Sequence, residues 1–98
     1  MRDHAFPSPF DEAKLQLTRD FLQREFRGSE IRDYFAIYGN AFQIFIVEVN
    51  LSLRHTLLIP EETFLDEDFS GLLDVHLVTT LTLAREAPVT LTLRGPRY

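Results

Sequence analysis

Residues Ile31–Leu51, IRDYFAIYGNAFQIFIVEVNL, decide the fold. Gly39-Asn40 splits this stretch into two alternating runs and reads as a two-residue hairpin turn with Gly in first position. Strands are expected over Ile31–Tyr38 and from Phe42 to about Leu51. Both are apolar on both faces. In the second, Phe42, Ile44 and Ile46 point one way, while Phe45, Val47, Val49 and Leu51 point the other. Strands of that kind sit inside a sheet covered on both sides.

Upstream, Ser8-Pro9-Phe10-Asp11 reads as a helix start, with Ser8 as cap, Pro9 in the first helical position and Asp11 where a capping-box carboxylate would sit. From there to Arg27, Phe10, Ala13, Leu17, Phe21, Leu22 and Phe26 share one side of the helical wheel, and Gly28 supplies the stop. Residues 1–7 read as a flexible arm, and 8–98 as a single domain. One helix of this length covers one face of the sheet. The second face needs either the rest of the chain or another copy of it.

Downstream, Arg54–Ile59 is an expected third strand, ended by Pro60. The Pro-Glu-Glu at 60–62 opens a short helix, followed by a turn at Ser70-Gly71. Residues 75–84 read as either helix or strand. Val75, Val78, Thr79, Thr80 and Thr82 are β-branched and favour a strand. A loop at Ala84–Pro88 would then set Leu83, Thr82, Leu81 and Thr80 opposite Val89, Thr90, Leu91 and Thr92. The expected fold class is α+β, an N-terminal helix on an antiparallel sheet of about five strands, in the order α-β-β-β-(short α)-β-β. That order is similar to the one found in type III secretion chaperones, which are acidic homodimers. The likeness covers element order alone, and the chain is shorter than that class and lacks its closing helix.

Fifteen carboxylates against ten Lys and Arg give a net charge of −5. Nucleic-acid binders carry clustered cations instead, so the balance argues against DNA, RNA and anionic membranes as partners. It suits a basic protein partner. The chain has no cysteine, hence no disulfide, thiolate metal site or Cys nucleophile. The first seven residues lack the apolar core of a signal peptide, and the most apolar run is too short to span a bilayer. A cytoplasmic location is the expectation.

Chemical motifs are thin. Asp66-Glu67-Asp68-Phe69-Ser70-Gly71 follows the opening of a calcium loop, but the bidentate Glu required at the twelfth position is Leu77. His4, His55 and His76 do not form a zinc pattern, although Asp74 and His76 would share a strand face. The sequence has no G-x-S-x-G, Walker or G-x-G-x-x-G motif, and no cofactor is expected.

Two surfaces stand out. Glu61, Glu62, Asp66, Glu67 and Asp68 crowd one segment around Phe64 and Leu65. This is either a solvated loop or a docking surface for a basic protein, with Phe64 or Leu65 as apolar anchor. The aromatic hairpin offers Tyr34, Tyr38, Phe42, Phe45 and Val47 for self-association. The functional expectation is a non-enzymatic protein-binding module that forms a homodimer and acts as an adaptor, a chaperone-like protein or an inhibitor. The alternative is a small enzyme, or a ligand- or calcium-binding domain, using Asp33, Glu48, Asp74 and His76 around a pocket.

Overall fold

A computed structural model describes residues 8–73 and 87–93. Their elements run α1 (Glu12–Glu25), β1 (Glu30–Tyr38), β2 (Asn40–Asn50), β3 (Leu53–Pro60), α2 (Glu61–Phe64), α3 (Phe69–Leu72) and β4 (Thr90–Thr92). The protein is α+β, and among the described residues the N-terminal helix packs on a four-stranded mixed sheet of order β1-β2-β3-β4. The expected partner strand over 75–84 lies outside the described residues, as do the arm at 1–7, His4, Asp74 and His76.

The sheet departs from the antiparallel expectation at its last strand. β1, β2 and β3 form an antiparallel meander, but β4 joins β3 in parallel, with Leu57 opposite Leu91. A parallel pair needs a crossover of roughly a dozen residues or more. The chain between Pro60 and Thr90 supplies it, and α2 and α3 lie within it. Ser70-Gly71, expected as a turn, is part of α3.

The hairpin register also differs by one residue from a two-residue turn. Ile37 faces Ala41 and Tyr38 faces Asn40, which centres the reversal on Gly39 at φ +77°. That left-handed conformation is free of steric cost only for glycine. At the other end of β2, the chain both turns and bulges. Leu51 and Ser52 form the turn, Ser52 donates its N–H to Asn50 Oδ1 at 2.7 Å, and the register shifts between Glu48 and Asn50. β2 is a central strand, as its two-sided apolar pattern implies. β1 is not. Among the described residues it pairs only with β2, so it is an edge.

Helix α1 starts three residues later than a Ser8 cap would place it. Asp11 is the N-cap and accepts the N–H of Ala13, while Ser8 Oγ accepts from Phe10. The buried stripe is Leu15, Thr18, Phe21 and Leu22, continued by Phe26. Ala13 and Leu17 face outward instead. The stripe rotates because Thr18 can be buried without loss, its hydroxyl donating to the Lys14 carbonyl at 2.8 Å.

Under this stripe lie Phe45 and Val47 of β2 and Leu57 and Ile59 of β3, joined by Phe64, Phe69, Leu73 and Leu93. A run of phenylalanines closes one side. Phe35 meets Phe10 edge-on at 5.6 Å, Phe10 stacks on Phe64 at 4.5 Å, and Phe64 stacks on Phe69 at 5.1 Å. The single lysine, Lys14, reaches across this run, donating to the Phe64 carbonyl with its Nζ 5.6 Å above the Phe69 ring.

Candidate functional site

The alternation of β1 and β2 sorts the sequence candidates onto two faces. Ile31, Asp33 and Phe35 lie on the α1 side with Val47, Phe45 and Gln43 as their cross-strand partners. Arg32, Tyr34, Ala36 and Tyr38 lie on the other side with Ile46, Ile44, Phe42 and Asn40. Of the five residues expected at a self-association surface, Phe45 and Val47 are therefore core residues beneath the helix. Tyr34, Tyr38 and Phe42 share the outer face, where Phe42 is buried and the tyrosines are exposed.

That outer face is divided along its length. At one end Glu48 accepts from Arg32 at 3.2 Å and from Arg54 at 3.0 Å, directly across from Glu30. These exposed ion pairs keep the end polar and contribute little stability. Toward the hairpin tip the face turns apolar, with Tyr34 39% and Tyr38 65% exposed beside buried Ile44 and Phe42.

Ile37, on the α1 side, is 66% exposed and was missed as a candidate by sequence reasoning. Its exposure follows from its position. Helix α1 has 14 residues, and the segment leading into it covers β1 at Phe35, which Phe10 contacts. β1 has nine residues and Ile37 is the last of them on the α1 side, beyond Phe35. An apolar residue two positions before a turn glycine was the available signal.

The acidic segment is also split. Phe64, one of the two expected anchors, is 3% exposed and stacked between Phe10 and Phe69. Leu65 is 75% exposed. It lines a shallow depression of about 170 Å³ with Asn40, Pro60, Glu61 and Glu62, so this surface adjoins the hairpin tip. Glu67 and Asp68 are exposed, and Asp66 Oδ1 accepts the Asp68 N–H at 2.8 Å, organising the turn before α3.

Asp33 and Glu48, the two carboxylates of the alternative reading among the described residues, do not converge. Asp33 faces α1, where both oxygens are taken by Arg19 at 2.9 Å and Oδ2 also accepts from Gln43 at 2.8 Å. Arg19 is in turn held protonated well beyond its ordinary range, chiefly by this hydrogen bonding to Asp33, against the opposing effect of burial and with help from Glu12. Glu48 points to the opposite face. His55 is buried at the β3–β4 junction, its Nδ1 accepting the Val89 N–H at 3.2 Å and its ring 5.4 Å from that of Phe26. Burial lowers its pKa, which keeps it neutral. Among the described residues no three His, Cys, Asp or Glu side chains converge on a metal position, and no helix is long and apolar enough to cross a membrane.

No family model, curated protein or solved structure matches the chain. What remains is the surface itself: a strand edge that no other described strand covers, with an aromatic outer face, an exposed isoleucine and an acidic flank.

Proposed function

We propose that the chain is a non-enzymatic protein-binding module that self-associates through the tip half of the β1–β2 hairpin. The observation that carries this reading is the concentration of exposed large apolar side chains on one edge strand. Tyr34, Ile37 and Tyr38 all belong to β1, whereas the other exposed large apolar residues among those described, Leu17, Leu51 and Leu65, are spread over three separate segments. Isolated exposed apolar residues are ordinary on a protein surface, but a cluster marks a contact. An edge that no other described strand covers adds peptide hydrogen-bonding groups to that contact.

The acidic flank fits the same role. Glu61, Glu62 and Leu65 adjoin the tip through Asn40, and a basic protein partner meeting that flank would find an apolar anchor framed by carboxylates. Adaptor, chaperone-like and inhibitor roles all use such a surface, and a cytoplasmic setting suits the cysteine-free composition.

Sedimentation velocity on the full chain tests the reading. The weight-average mass is expected to rise with concentration from 11.4 kDa toward twice that value. A mass that stays monomeric up to the solubility limit overturns it.

A further inference from the structure

Resting on that reading, we propose the geometry of the contact: two copies join edge to edge along β1, antiparallel, about a two-fold axis passing beside Ala36, so that the sheet runs on from one protomer into the next. The partner is a second copy of this chain, because one register matches the edge to itself, apolar on apolar, over the whole run from Tyr34 to Tyr38.

Residues directly opposite each other in an antiparallel pair point to the same face, and their peptide groups are either both turned toward the new partner or both turned away from it. A symmetric β1–β1 pairing satisfies both conditions only when a residue lies on the axis. The sequence of β1 then separates the choices. With Arg32 or Asp33 on the axis, like charges stand face to face, which is destabilising. With Tyr34 or Phe35 on the axis, the carboxylate of Asp33 is set against Phe35 or Ile37 of the other copy. With Ala36 on the axis, Tyr34 meets Tyr38 on the outer face, Phe35 meets Ile37 on the inner face, and every pair is apolar on apolar. The hydrophobic pattern specifies register wherever a face becomes buried.

This register uses the side chains that the monomer leaves outside. Ile37 on the α1 side and Tyr38 on the outer face, both exposed in the monomer, come to rest on Phe35 and Tyr34 of the other copy, and the small side chain of Ala36 lets the two strands approach at the centre. Asp33 is an inward-pointing charge of the kind that guards strand edges. Here it stands beyond the paired residues, and Arg19 and Gln43 already occupy its oxygens.

The absence of cysteine makes a direct test clean. Ala36→Cys places one thiol from each copy across the axis. Opposed Cα atoms in an antiparallel pair are about 4.5–5.5 Å apart, within the range of about 4.4–6.8 Å that a disulfide spans. Mild oxidation of Ala36→Cys is expected to give a covalent dimer, while Ser52→Cys, at the opposite end of the sheet, stays monomeric under the same conditions. Ile37→Lys is an independent probe, since Ile37 contributes little to the monomer core. It is expected to weaken dimerisation about tenfold or more by sedimentation, with an unchanged circular dichroism spectrum. A wild-type dimer that neither cross-links through Ala36→Cys nor responds to Ile37→Lys overturns this geometry and leaves self-association standing. A wild-type chain that never dimerises removes both.

Discussion

Arg19 grips Asp33 with two parallel hydrogen bonds, Nε to Oδ1 and Nη2 to Oδ2, each 2.9 Å long. The pair pins the middle of α1 to the edge strand, and Gln43 ties the same carboxylate to β2. Removing the guanidinium leaves a mostly buried carboxylate held by one amide. Arg19→Ala is expected to cost about 2 kcal/mol of unfolding free energy, below the value for a fully buried pair because Arg19 retains solvent contact. In that background Asp33→Ala should add little, since the two side chains act as a unit. Urea titration of the four-member cycle checks this. Additive losses would mean that the two residues act separately.

His55 makes stability depend on pH. Its pKa is lowered in the fold by burial, so between that value and the ordinary 6.5 the unfolded chain binds more protons than the folded one. The stabilisation is fully present above pH 6.5 and is lost as pH falls through the folded value. Protonation also turns Nδ1 from an acceptor into a donor facing the Val89 N–H, so β4 should loosen first. His55→Gln is expected to flatten the wild-type loss of stability in this range, and amide exchange at Val89 should accelerate in wild type on acidification. Parallel stability curves for the two proteins would remove His55 from the account.

These two contacts show what the sequence carried and what it hid. Strand positions and face assignments on β2 were legible, because a period of two needs no partner to be read. The pairing of β4 with β3 was not, because it is set by the crossover that starts at Pro60 and leaves no local periodicity. The same holds for the site. The aromatic content of the hairpin was visible in residues 34–45, but the division of Tyr34 from Phe45 follows from the face that α1 covers. The stripe of α1 was misplaced because a threonine satisfied within its own helix is buried where leucine was expected.

Gly39 isolates a purely conformational cost. A Cβ there would meet nothing within 4 Å, while φ stands at +77°. Gly39→Ala is therefore expected to destabilise the chain by about 1 kcal/mol, and Gly39→Asn by less, since asparagine tolerates the left-handed region. Thermal unfolding of the three proteins gives the order Gly, Asn, Ala. Equal stability for Asn and Ala would show that the tip relaxes into another turn.

Phe64 and Leu65 are neighbours with opposite fates, and the contrast decides which of them can anchor a partner. Phe64 is sandwiched between Phe10 and Phe69 and lends its carbonyl to Lys14, so three other residues meet on it. Phe64→Ala removes a ring from a closed stack and is expected to cost about 3–5 kcal/mol. Leu65 projects over the depression beside Asn40, Glu61 and Glu62, and Leu65→Ser should change stability by less than about 0.5 kcal/mol. An anchor has to be free before the partner arrives, and an aromatic already stacked on both sides is not. If urea titration instead finds Leu65→Ser as costly as Phe64→Ala, Leu65 belongs to the core, and the acidic flank has no apolar residue to offer.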